Sequence, residues 1–136
     1  MHVLILPSWY PAHPSDPFGS FFREHALSIQ AAGCKVGVLA PRLVSLLSPV
    51  SSIRVSRSVQ VELDEGMPTY RHASVNWTPR FWHANARRIA SLGWQIYQEY
   101  CKKYGRPDVI HVQSSIMCGV VAKTILERDG VPFVVC

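Results

Sequence analysis

The chain has 136 residues, 48% hydrophobic and 17% charged, enough for one domain with its own core and too apolar for a disordered segment. Fourteen Lys and Arg against nine Asp and Glu leave a net charge of +5, and residues 42–106 hold ten basic and four acidic side chains, a balance of +6. No run reaches five like charges and no nucleic-acid motif accompanies the bias, so nucleic acid is not an expected partner. The first strong pattern is Val3 to Leu6, a continuous apolar run that predicts a strand buried on both faces. Prolines 7, 11, 14 and 17 then predict an irregular loop. Gly19 to Ala32 has helical period, with Phe22, Ala26 and Ile29 on one face and Gly33 at the C-cap. Val36 to Ala40 predicts a second strand, stopped by Pro41, and the strand–helix–strand unit predicts a parallel crossover.

Past Pro41 the pattern weakens. Val59 to Leu63 and Thr69 to Ala73 predict two strands around the turn Asp64-Glu65-Gly66, with parts of Leu43 to Ser58 expected to be mobile. His83 to Tyr104 predicts a long helix with the stripe Ala86, Ile89, Gly93, Ile96 and Tyr100, ended by Gly105 and Pro107. Asp108 to Val112 predicts a third buried strand, Ile116 to Arg128 a helix capped by Gly130, and Val131 to Cys136 the beginning of a further strand. With no internal repeat and no linker, residues 1–136 are expected to form a single α/β, Rossmann-like domain of three layers around a mainly parallel sheet, cut within its last strand. The apolar start has no charged flank and is too short for a signal peptide, and no stretch is long enough to span a bilayer, so a cytoplasmic location is expected. The four cysteines never fall at C-x-x-C spacing and read as reduced and structural.

Ligands of open parallel sheets bind beyond the carboxyl ends of the strands. Here that points to the helix entry at Gly19 and to the turn after the third strand. Gly19 has no side chain, so the free N–H groups of the helix start, Ser20 onward, can approach an anion such as a diphosphate; a helix-entry glycine without a ligand has the same pattern. His111 lies in an apolar strand two residues before Gln113 and reads as a hydrogen-bonded core residue or a site residue. Histidine spacing gives no metal-ligand pair, so no metal is expected. Trp77, Pro79, Phe81 and Trp82 cluster beside Arg80; a hydrophobic plug over the sheet edge is the first expectation, and a surface that stacks on sugar rings or lipid is the second.

Two segments carry a family resemblance. VLILPSWYP followed by GSFFREHALSIQAAGCKVGVLAP, and PDVIHVQSSIMCGVVAKTILERDGVPFVVC, together resemble the N-terminal domain of the family 4 glycosyltransferases, which have the GT-B fold. Gly19-Ser20 stands where that family has a glycine pair; His111 matches the first histidine of its PDVIHAH turn, and Gln113 replaces the second. The resemblance implies a hexosyltransferase-type enzyme that transfers a sugar from a nucleotide-sugar donor to a glycan or lipid-linked acceptor. No metal or other cofactor is implied, the nucleotide sugar being a substrate. It further implies a donor-diphosphate and acceptor cleft at Gly19, Ser20, Arg23, His111, Gln113 and Ser114. A C-terminal donor domain and a functional histidine are expected beyond Cys136, leaving no catalytic residue within this chain and no turnover by it alone. The alternative is a non-catalytic Rossmann-like binding or assembly module complemented by a separate partner chain. The basic middle adds an expected peripheral contact with an anionic membrane at its inner face, through Arg80, Arg87, Arg88, Lys102 and Lys103.

Overall fold

Val3 to Leu6 become the middle of the sheet because apolar cover reaches them from both sides. The computed structural model describes residues 1–13, 16–45, 58–78, 80–113 and 116–136; the segment 46–57, within the stretch expected to be partly mobile, lies outside them, as do Pro14, Pro79 and Ser114. The elements are β1 His2–Pro7, α1 Ser20–Ala31, β2 Lys35–Ser45, β3 Gln60–Asp64, β4 Met67–Asn76, α2 Trp82–Tyr104, β5 Val109–Gln113, α3 Ile116–Asp129 and β6 Phe133–Val135. They form a six-stranded sheet in the order β3-β4-β2-β1-β5-β6. Every neighbouring pair is parallel except β3 with β4. The fold is therefore α/β and Rossmann-like, with a mainly parallel sheet.

Alternation along β1 divides the core. Val3 and Ile5 pack with Ala26 of α1, Val36, Val38 and Met67. Leu4 and Leu6 face the other way, into a larger cluster with Ile89, Ile96 and Tyr100 of α2 and Val121 and Ile125 of α3. Of the stripe expected on α2, Ile89, Gly93, Ile96 and Tyr100 are buried, joined by Asn85 and Tyr97, while Ala86 is half-buried. Gly93 marks where α2 and α3 touch: a Cβ there would overlap the Val121 side chain. The helix accepts the propensity loss of a glycine, about 1 kcal/mol, in exchange for that close approach.

Two local expectations change. Pro41 does not stop the second strand, which runs on to Ser45. Register with β1 ends at Val38, whereas pairing with β4 continues to Ser45. From there β2 has one neighbour, and a strand bonded on a single side tolerates a proline. The aromatic cluster does not plug the sheet edge either, since Trp77, Phe81 and Trp82 are all exposed. Asn85 Nδ2 donates to the Thr78 carbonyl at 3.0 Å, and Thr78 Oγ1 and Asn85 Oδ1 lie 3.3 Å apart. This closed turn leaves the rings outside, while α2 begins its buried stripe at Asn85. The two predicted middle strands form a hairpin whose two turn residues, Glu65 and Gly66, both have positive φ (49° and 82°), as a tight two-residue connection requires.

Candidate functional site

The sheet reverses its winding at β1. One crossover leaves through α1 toward β2, and β5 lies on β1's other side. That arrangement opens a crevice at the carboxyl ends of β1 and β5. The two ends are tied together: Ser8 donates to the Gln113 carbonyl through both its backbone N–H (3.1 Å) and its Oγ (2.6 Å).

The loop from β1 returns to α1 through Gly19, whose φ of 83° lies in the left-handed region. A Cβ there would stand 2.9 Å from the Trp9 carbonyl oxygen, so both conformation and space demand glycine. No side chain caps the start of α1 and no acidic residue lies in its first turn. Ser20 Oγ instead donates back to the Pro17 carbonyl at 3.1 Å. The positive end of the helix is thus left to backbone N–H groups, the arrangement that accepts an anion.

Arg23 is drawn elsewhere. Its Nε and Nη2 grip Asp64 at 2.8 and 2.7 Å, and Tyr10 OH donates to the same carboxylate at 2.7 Å. The Arg23 guanidinium, ahead of the Tyr10 hydroxyl, holds the Asp64 carboxyl below the usual carboxylate range despite partial burial. Asp64 in turn raises the Arg23 pKa, while burial first and Asp64 second push the Tyr10 phenol up. Arg71 fastens the loop to the hairpin from the next position along: it bonds Glu62 at 2.6 and 2.9 Å and donates to the Pro11 carbonyl at 2.5 Å. Beside this network is a cavity of about 250 Å³ lined by residues including His13, Arg23, Asp64 and Arg71. Arg23 therefore positions the loop, with its charge already matched.

The polar residues of β5 meet α1 through a residue that sequence reasoning left out, His25. Gln113 Nε2 donates to His25 Nδ1 at 2.9 Å. The His25 and His111 rings meet edge to face at 5.0 Å. Gln113 is buried, and its Oε1 has no hydrogen-bond partner among the described residues. His111 Nε2 lies 2.9 Å from Cys136 Sγ. Burial first, and the His25 ring second, lower the His111 pKa below its ordinary 6.5, which favours the neutral ring. Exposed Phe18, Phe21 and Ile116 flank the strand ends.

Gly19 and Ser20 thus stand at the helix start, and Gln113 and His111 on the neighbouring strand are joined to that helix by His25. Arg23 faces the hairpin, and Ser114 lies outside the described residues. The motif containing His25 was visible, but nothing local marks a contact 88 positions away. Chemically, the arrangement can hold an anion on backbone amides and accept hydrogen bonds from hydroxyl groups.

No protein-family model matches the sequence. No curated protein matches it either. Among solved structures, the catalytic domain of starch synthase IV from Arabidopsis thaliana, bound to ADP and acarbose, superposes on all of this chain with a TM-score of 0.58 at 14% identity. The match takes up 33% of that chain, so this chain spans about a third of its length. The sheet and helices described above accordingly share the fold of part of that catalytic domain.

Proposed function

We propose that this chain is the N-terminal, acceptor-side domain of a glycosyltransferase that moves a sugar from a nucleotide-sugar donor to a glycan or lipid-linked acceptor. The observation that carries the reading is the buried Oε1 of Gln113, without a hydrogen-bond partner among the described residues, on a side chain joined through His25 to the helix whose uncapped start is at Gly19. An orphaned buried acceptor costs about 1–3 kcal/mol. A sugar hydroxyl reaching the ends of β1 and β5 would relieve that cost. The amides of α1 would carry the donor's diphosphate, with Gly19 permitting close approach. His111 would accept a second hydroxyl hydrogen bond. Arg23 would act through Asp64 and Tyr10 by fixing the loop.

Stabilising the leaving diphosphate takes several donors and exclusion of water. One open helix end supplies only part of that, so the isolated chain is expected to bind without turnover. The test is an amide-shift titration of the labelled chain with ADP and UDP, each free and sugar-linked, with adenosine and uridine as controls. Expected are dissociation constants of about 1 mM, near −4 kcal/mol, with shifts at residues 19–22 that need the diphosphate. Shifts that the nucleosides reproduce, or that spare residues 19–22, would sink the proposal.

A further inference from the structure

The turn into α2 holds a surface that the crevice does not use. Trp77, Phe81 and Trp82 are 64%, 68% and 46% exposed, and Arg80, His83, Ala84 and Arg87 stand exposed among them. No Asp or Glu occurs anywhere from Met67 to Gln98, a stretch that contains four arginines. The first turn of α2 has no acidic residue and its N-cap no side-chain bond, so the helix dipole adds to the positive field. Two bulky indoles and a phenyl ring beside guanidinium groups that form no ion pair among the described residues match the interfacial layer of an anionic bilayer. Rings settle there at headgroup depth, and cations face lipid phosphate.

From these observations we propose that residues 77–87, Pro79 aside, form a peripheral docking ridge for an anionic lipid surface, independently of the reading of the crevice. A glycan-stacking surface would need free amides or carboxylates around the rings. Of the amides at hand, Asn85 is bonded to Thr78 through both its Oδ1 and Nδ2, and the Asn76 Oδ1 accepts the Thr78 N–H at 3.1 Å. The ridge is also narrower than the net charge suggests. Arg88 donates through Nε and Nη2 to Ser74 Oγ, and Lys102 pairs with Glu99 at 2.7 Å. Lys102 lies 15 residues beyond Arg87, about 22 Å along the helix. No helix among the described residues is long and apolar enough to cross a membrane, so the contact is with the surface.

The experiment is co-sedimentation of the full chain with phosphatidylglycerol-containing vesicles and with pure phosphatidylcholine vesicles, at low and high salt. Binding should need the anionic lipid and weaken with salt. The pair Arg80→Gln and Arg87→Gln should lower partitioning about thirtyfold. Phe81→Ser with Trp82→Ser should lower it about tenfold or more. Lys102→Gln with Lys103→Gln removes the same charge far from the ridge and should change it less than about twofold. All substituted side chains are exposed, and unchanged circular-dichroism melts establish that each variant is folded. Salt-independent binding, equal losses from the two charge pairs, or retention by a soluble oligosaccharide in place of vesicles would each overturn the proposal.

Discussion

The two faces of the sheet are closed by different physics. Over one, α2 and α3 bury Leu4, Leu6, Tyr70, Tyr97, Tyr100 and Ile125, with Tyr70 and Tyr104 packed against the Tyr100 ring at 5.5 and 5.2 Å. Over the other, α1 covers Val3, Ile5, Val36 and Val38 together with Tyr10 and Met67, and the Tyr10, Asp64, Arg23 and Arg71 network closes the space toward the hairpin. Dispersion and burial are insensitive to pH and hard to rearrange. Charge-assisted bonds are directional and titratable. The fold thus keeps its stability on the α2–α3 side and positions the crevice loop with polar groups on the α1 side.

The sharpest way to break that comparison is Tyr100→Ala. Tyr100 is fully buried and its hydroxyl lies 2.6 Å from His2 Nε2. Its loss should lower unfolding free energy by about 3–5 kcal/mol in urea titrations; a loss no greater than for an exposed site would dissolve the distinction. Asp64→Ala comes next, at about 2 kcal/mol near neutral pH, because it strands Arg23 and Tyr10. Here the sign of the pH dependence is specific. The folded Asp64 pKa lies below its ordinary 3.8, so its contribution is present above that value and fades as pH falls through the folded pKa. The gap between wild type and Asp64→Ala should therefore narrow in acid. Last is Gly19→Ala, which should cost about 1–2 kcal/mol for the left-handed backbone, with the shift forced by a Cβ 2.9 Å from the Trp9 carbonyl oxygen added to it. Its larger effect should fall on diphosphate binding, read from the same amide shifts at residues 19–22.

Legibility followed distance along the chain. Val3 to Leu6, the α2 stripe and the Asp64-Glu65-Gly66 turn are local patterns, and each lies in the element expected of it. Pro41 shows where a local rule fails, because its effect depends on how many neighbours the strand has at that level. Arg23 was a visible candidate, yet its orientation is set by Asp64, 41 positions away. The aromatics at 77–82 look like core in composition and lie outside because Thr78 and Asn85 close the turn beneath them.

By itself, then, the sequence determined the elements, their order and the parallel crossover, since periodicity and turn chemistry act within a few residues. Tertiary structure alone decided that Arg23 faces the hairpin, that His25 joins Gln113, and that the aromatic ridge stands in solvent. Those outcomes depend on which residues the sheet order brings within hydrogen-bonding range, and no local periodicity encodes that.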